Sequence, residues 1–425
     1  MGPRPGDGDD RSGRVQREDE WRALGRLAGS GLRGVVGITR DTHAAITTRV
    51  SRNLPETAKP VVAVEQALAS GVYATLAASL RRAATAAAHV AATSSSPDAP
   101  APSQTAAGRA LLPAVNGLWG DHIQGEHHSL AVSMSIRAGG QDVPVTASAL
   151  ASAYPAATAD LVVLVHGLGE HDESWVRGPE GAGRGYGDRL HDDLGLTPVR
   201  LRYNTGLRVS ENGRLLSDLL DELVTAWPVP VASLSIVGHS MGGLVARSAA
   251  HHGHVGGSAW VPLLHAVVTL GTPHLGAPLE KSAHVAEWLL RRWPETQALS
   301  SPLRARSSGI RDLRFGALVE EHWAPEDEHL LLDPTTDVPT PEHMALYWVG
   351  STLTQDPDHP VGHALGDGLV RRPSAAGRAR ATDGVLLGGA DHLSLLAHPT
   401  VYQHLVRWLD PAHPDRPAPP GDAPS

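Results

Sequence analysis

The chain has 425 residues, no cysteine, and 36 Lys and Arg against 45 Asp and Glu, a formal net charge of −9. The lack of cysteine excludes disulfides, thiolate metal sites and a cysteine nucleophile, and the acidic balance argues against nucleic acid as the main partner. The length allows a large core and exceeds one average domain, so one catalytic domain with extensions is expected.

In chain order, residues 1–18 are polar, acidic and rich in Gly and Pro; disorder is expected there, with no apolar core of a secretory signal. A helical region is expected over 19–93. Trp21, Leu24, Leu27 and Ala28 fall at helical spacing, and Val64, Leu68, Val72, Leu76 and Leu80 form an apolar stripe flanked by Glu65, Arg81 and Arg82. Glycines at 25, 29, 31, 34 and 37 argue against one long helix. The amphipathic face is expected to pack on the body or on another copy or partner subunit, with peripheral membrane contact as the alternative. Residues 94–110, opening with the Ser, Pro and Ala run from Ser94 to Ser103, read as a linker. No stretch approaches about 20 uninterrupted apolar residues, so a soluble, cytoplasmic protein is expected.

Periodicity changes after the linker. Leu130, Val132, Met134 and Ile136 alternate with Ala131, Ser133, Ser135 and Arg137, predicting a half-buried strand over 130–137. Ala138-Gly139-Gly140-Gln141 then supplies the turn of a hairpin leading to Val143 and Val145. Leu161 to Val165 is a continuous apolar run of the kind buried on both faces of a parallel sheet. Further short runs span Val199 to Tyr203, Leu234 to Val237, Leu264 to Leu270, Tyr347 to Val349 and Val385 to Leu387. Helix-like segments lie between them, notably Leu215, Leu216, Leu219, Leu220 and Leu223. The alternation predicts an α/β fold with a mostly parallel central sheet and helices on both faces.

One stretch within this alternation carries chemistry. Apolar residues lead into Gly238-His239-Ser240-Met241-Gly242, and a helix-compatible run from Leu244 to Ala250 leads out. Strand, sharp turn and helix are the context that Gly-x-Ser-x-Gly requires for its serine to stand exposed, so Ser240 is the candidate nucleophile.

The chain from roughly 115 to 410 resembles the α/β-hydrolase family of serine lipases and esterases, in particular its bacterial-lipase-like and GPI-inositol-deacylase-like branch. The resemblance rests on His166-Gly167-Leu168-Gly169 after a strand, Gly238 to Val245, Gly271-Thr272-Pro273-His274-Leu275-Gly276, Gly366-Asp367-Gly368-Leu369-Val370, and Asp391-His392 near the end. It implies an α/β-hydrolase fold in a domain spanning 111–410, with a helical cap insertion over about 277–340; beyond it, the Pro-rich residues 411–425 are expected to form a disordered tail. It also implies backbone N–H groups of Leu168 and Met241 as oxyanion donors, His392 as general base and a triad acid on the loop after Tyr347 to Gly350. Asp367 is the preferred acid. In some bacterial lipases a similar aspartate binds a structural Ca²⁺, which would promote Asp356 or Asp358 upstream.

Histidine identity alone selects nothing among 24, but His392 follows a strand-like run and precedes a helix-like one. His398 is expected at the start of that helix, and His166 and His239 are expected to flank the site and to pack against or tune it. The pairs His127-His128 and His251-His252 read as solvated surface, so neither a metal nor another cofactor is expected. Within the cap, Val285, Trp288, Leu289 and Trp293 fall on one helical face where an acyl chain would lie. The expected partner is a small-molecule or lipid ester. Hydrolysis of a carboxylic ester through an acyl-enzyme on Ser240 is the expected function, with an acyltransferase or a catalytically silent acyl-binding relative as alternatives.

Overall fold

A computed structural model describes residues 15–28, 74, 78, 81–82, 84–93, 99, 101–126, 128–176, 184–276, 307–323, 338–358, 367, 370, 374–375 and 382–411. Both ends of the chain, most of the stripe from Val64 to Leu80, and the cap residues Val285, Trp288, Leu289 and Trp293 lie outside the described residues. These fall into two compact units, one drawn from residues up to 115 together with 121–131, the other from 116–120 and from 132 onward.

In the first unit, helix α1 covers 15–28 and α2 covers 84–93; Ala106–Glu126, the helix α3, supplies further residues. The helical spacing of Leu24 and Leu27 serves a small core around Ala23, Ile123 and Leu130. The segment leading to α3 is tied to α1. Glu20 accepts from Ser103 N–H at 2.8 Å and from its hydroxyl at 2.6 Å, and Arg17 donates to Ala99 O.

The second unit is built on an eight-stranded sheet. Its strands are β1 (Ser135–Ala138), β2 (Gln141–Val143), β3 (Asp160–Val165), β4 (Thr197–Arg202), β5 (Ser233–His239), β6 (Leu264–Leu270), β7 (Ala345–Thr352) and β8 (Asp383–Gly388). They lie in the order β2-β1-β4-β3-β5-β6-β7-β8. β1 runs antiparallel to β2 and β4, and every other pairing is parallel. This is the α/β-hydrolase fold that the motifs imply. The helices are α4 (Ala147–Ala153), α5 (Tyr186–Leu194), α6 (Val209–Ala226), α7 (Met241–Gly256), α8 (Ser308–Asp312) and α9 (Pro399–Leu409). Among the described residues no helix is long and apolar enough to cross a membrane.

The run Leu161 to Val165 is apolar throughout because both of its faces are covered. Leu161, Val163 and Val165 join Ile236 and Val267 beneath Leu216, Leu220 and Leu223 of α6 and Val245 of α7. Val162 and Leu164 join Val237 and Val268 beneath Leu190 of α5 and Val401, Leu405 and Trp408 of α9. The chain passes from β3 to β4 on one side, then crosses to β5 on the other. That reversal opens a crevice beyond the carboxyl ends of β3 and β5, where ligands bind in open α/β sheets.

The strand predicted over 130–137 is shorter than its alternation suggests. Pairing begins only at Ser135, because Leu130 belongs to the apolar cluster of the first unit and Val132 N–H is taken by the Asn116 side chain at 3.1 Å. The hairpin holds: Gly139 and Gly140 both adopt positive φ, 56° and 78°, between the paired Ala138 and Gln141, as a two-residue I′ turn requires. A carboxylate holds the start of α6, where helix N–H groups lack partners. Asp312, at the end of α8, accepts from Val209 N–H at 2.8 Å and is ion-paired with Arg208.

Candidate active site

Ser240 sits between the last residue of β5 and the first of α7, with φ 51° and ψ −122°. Among the described residues it is the one non-glycine with positive φ. The turn can be this tight because α7 starts hard against β3: a methyl group at Gly242 would meet the carbonyl oxygens of Val165 and His166, the second at 2.6 Å. The backbone of Ser240 is fixed from the neighbouring strand. Its N–H donates to Leu270 O at 2.8 Å, and its carbonyl accepts from the Thr272 hydroxyl at 2.9 Å.

The loop after β3 runs alongside. A Cβ at Gly167 would lie 3.0 Å from the Ser240 Cβ, so His166-Gly167-Leu168-Gly169 borders the serine. Gly169 N–H donates to the Thr205 hydroxyl, and Leu168 packs against the apolar core. His166 is buried and spoken for. Its Nδ1–H donates to Gly167 O at 2.9 Å, its Nε2 accepts from Tyr203 N–H at 3.4 Å, and its ring stacks on Tyr203 at 4.5 Å. Burial pushes its pKa down to about 4, against the pull of Glu170, so the ring is neutral.

His392 lies on the loop after β8. Its Nδ1–H donates to Asp367 Oδ2 at 2.8 Å, with side-chain exposures of 7% and 2%. The other carboxylate oxygen of Asp367 accepts from Val370 N–H at 2.7 Å, and Asp367 O accepts from His392 N–H at 3.3 Å. A Cβ at Gly271, just past β6, would lie 3.0 Å from His392 Cε1, which sets the imidazole over the strand end next to the serine turn. Asp391 is occupied otherwise, capping the turn of Leu393 and Ser394 N–H at 2.9 Å each. Asp356 and Asp358 sit in an exposed loop in which Asp358 N–H donates to Asp356; of the three aspartates weighed, Asp367 is the one against His392. His398 caps α9, its Nδ1 accepting from Thr400 N–H, as expected.

One half-buried carboxylate carries no role in the sequence reading. Glu170 accepts from Gly167 N–H at 2.9 Å and stands 2.9 Å from Nδ1 of His239. His239, fully buried, donates from Nε2 to His392 O at 3.1 Å and packs its ring 4.8 Å from that of His392. Burial alone would push Glu170 up, but the charge and hydrogen bonding of His239 together with Gly167 N–H bring it down to about 2. Burial likewise works against the His239 charge, yet Glu170 outweighs it and the pKa is raised. The nearest sequence signal for Glu170 is its place directly behind His166-Gly167-Leu168-Gly169.

Residues 202–341 match the family model described as PGAP1-like alpha/beta domain. The matched span holds the serine turn and Gly271 to Gly276, two of the segments on which the resemblance was drawn. No curated protein sequence matches the chain. Among solved structures, the mature form of the Bacillus licheniformis lipase BlEst2 is 17% identical with a TM-score of 0.41, over 66% of this chain and 98% of that one. Lipase 1 from Pelosinus fermentans is 14% identical with a TM-score of 0.36, over 60% and 99%. YbtT, a type II thioesterase of the yersiniabactin pathway, is 16% identical with a TM-score of 0.34, over 59% and 93%.

Proposed function

We propose that the protein hydrolyses a carboxylic ester of a small molecule or lipid through an acyl-enzyme on Ser240. The observation that carries this reading is the buried 2.8 Å contact between His392 and Asp367, at the same end of the sheet as a serine held in a strained turn. Asp367 accepts the Nδ1 proton, which leaves the Nε2 lone pair of His392 as the base toward Ser240. The serine oxygen attacks the ester carbonyl while its proton passes to His392. Charge then develops on the former carbonyl oxygen, where the N–H groups of Leu168 and Met241 would receive it. His392 returns the proton to the departing alcohol, and water repeats the sequence to release the acid. The N-terminus of α7 adds a favourable dipole at the oxyanion.

The test is turnover of short- and long-chain p-nitrophenyl esters, with and without an alcohol acceptor, alongside labelling by a fluorophosphonate. Hydrolysis and labelling should both vanish in Ser240→Ala, with a fall of about 10⁴- to 10⁶-fold in kcat. A folded Ser240→Ala protein that keeps its turnover refutes the assignment. Product appearing only with the alcohol present would turn the reading to acyl transfer.

A further inference from the structure

We propose that Glu170 and His239 form a positioning unit that ties the oxyanion loop to the base loop across the nucleophile, an inference that rests on the roles given above to Ser240 and His392. Neither residue is given the role of base toward the serine: the two nitrogens of His239 face Glu170 and His392 O, and the two oxygens of Glu170 face Gly167 N–H and His239. What the pair does is connect. One carboxylate oxygen holds Gly167 N–H, one residue before the expected oxyanion donor Leu168, and the other holds His239 Nδ1. The far nitrogen of His239 holds the backbone carbonyl of His392 itself. The loops following β3 and β8 are thus joined to each other and to the end of β5 through two side chains.

The protons follow from the partners. A carbonyl only accepts, so His239 Nε2 carries hydrogen. The lowered pKa of Glu170 leaves it ionised, and its free oxygen 2.9 Å from His239 Nδ1 requires hydrogen there too, so the pair is an imidazolium facing a carboxylate. Other charged or titratable groups facing His239 are Asp367, from the segment after β7, and His392; Glu170 in turn interacts electrostatically with His166 and Tyr203. A buried pair of this kind is weak evidence for stability as such. Its placement between the two loops that must stand at fixed reach from one oxygen gives it a different use, since a misplacement of about 1 Å can cost about 10²-fold in rate.

Glu170→Ala cuts both ties. Its kcat and its rate of fluorophosphonate labelling are expected to fall about 10- to 100-fold, with KM within about threefold of wild type, at a temperature where circular dichroism shows it folded. Glu170→Gln is the rescue, because its amide oxygen can keep Gly167 N–H while its NH₂ donates to a neutral His239. It should return to within about threefold of wild type. If Glu170→Ala does not fold, Glu170→Asp replaces it, since the shorter side chain cannot span both partners and the same loss in kcat is expected. Wild-type labelling and kcat in the folded Ala or Asp variant overturn the inference, as does a loss confined to KM or a Gln variant no better than Ala. Failure of the underlying reading looks different: the wild type itself would resist the fluorophosphonate, or Ser240→Ala would be labelled.

Discussion

Asp367 meets two donors with two oxygens, and an asparagine there can accept with only one. If the amide oxygen stays on Val370 N–H, its NH₂ faces His392 Nδ1, which must then accept, and the proton moves to Nε2, where a lone pair is needed. Asp367→Asn is therefore expected to lower kcat by about 10⁴-fold at neutral pH with little change in KM. Asp356→Asn, in the exposed loop, should stay within about twofold. Steady-state kinetics on one soluble ester separate the two. At this scale Ser240 and His392 were legible because each stands where a strand gives way to a helix-like run. Asp367 was legible only as the preferred member of three, and the contact between Glu170 and His239 was not legible at all. That pairing depends on how the loop after β3 folds back, which no local spacing encodes.

The contact between α7 and β3 sets the geometry of the serine turn. Two carbonyl oxygens of β3 and its loop occupy the space that a methyl group at Gly242 would need, so helix and loop must separate in Gly242→Ala. Overpacking of this kind costs about 1–3 kcal/mol. Urea denaturation should show that loss, and ester turnover should fall by more than the unfolded fraction explains, since the displaced carbonyl of His166 leads directly into the loop bordering Ser240. The elements themselves were read well wherever a run was apolar on both faces, as from Leu161 to Val165. Reading failed from Leu130 to Val132, whose alternation looks like a strand while Leu130 and Ala131 join the small core around Ile123 and Val132 N–H goes to Asn116. Alternation reports which side chains are buried and says nothing of what buries them.

For the molecule as a whole, pH couples groups that lie far apart in sequence. Burial holds His166 near 4 and, together with the charge of Arg247, keeps His274 well below the usual imidazole range. Both therefore withdraw stability as pH falls below about 6.5, where the unfolded chain takes up their protons. Asp312 works in the opposite sense. Burial, against Arg208 and Val209 N–H, raises its carboxyl to about 6, so the folded state binds a proton there before the unfolded chain does and gains stability as pH falls from about 6 to 4. The shifts of His166 and Asp312 are each worth on the order of 3 kcal/mol. Thermal unfolding should therefore soften only gradually down to about pH 4.5. Below that, the unfolded chain protonates Glu170, held near 2 in the fold, and stability should drop steeply. Asp312→Asn removes the compensating uptake, and its melting temperature should already decline from about pH 6.5. On the alkaline side, stability carried by the His239 proton is lost as pH rises through its raised pKa. The backbone of Ser240 bears on the same global balance. Positive φ with ψ near −120° is glycine territory, and a serine held there costs about 1–3 kcal/mol. Ser240→Gly should melt above the wild type by differential scanning calorimetry. A library of variants sorted for heat tolerance alone would drift toward glycine at this position, and only a sort that also demands turnover would keep the serine.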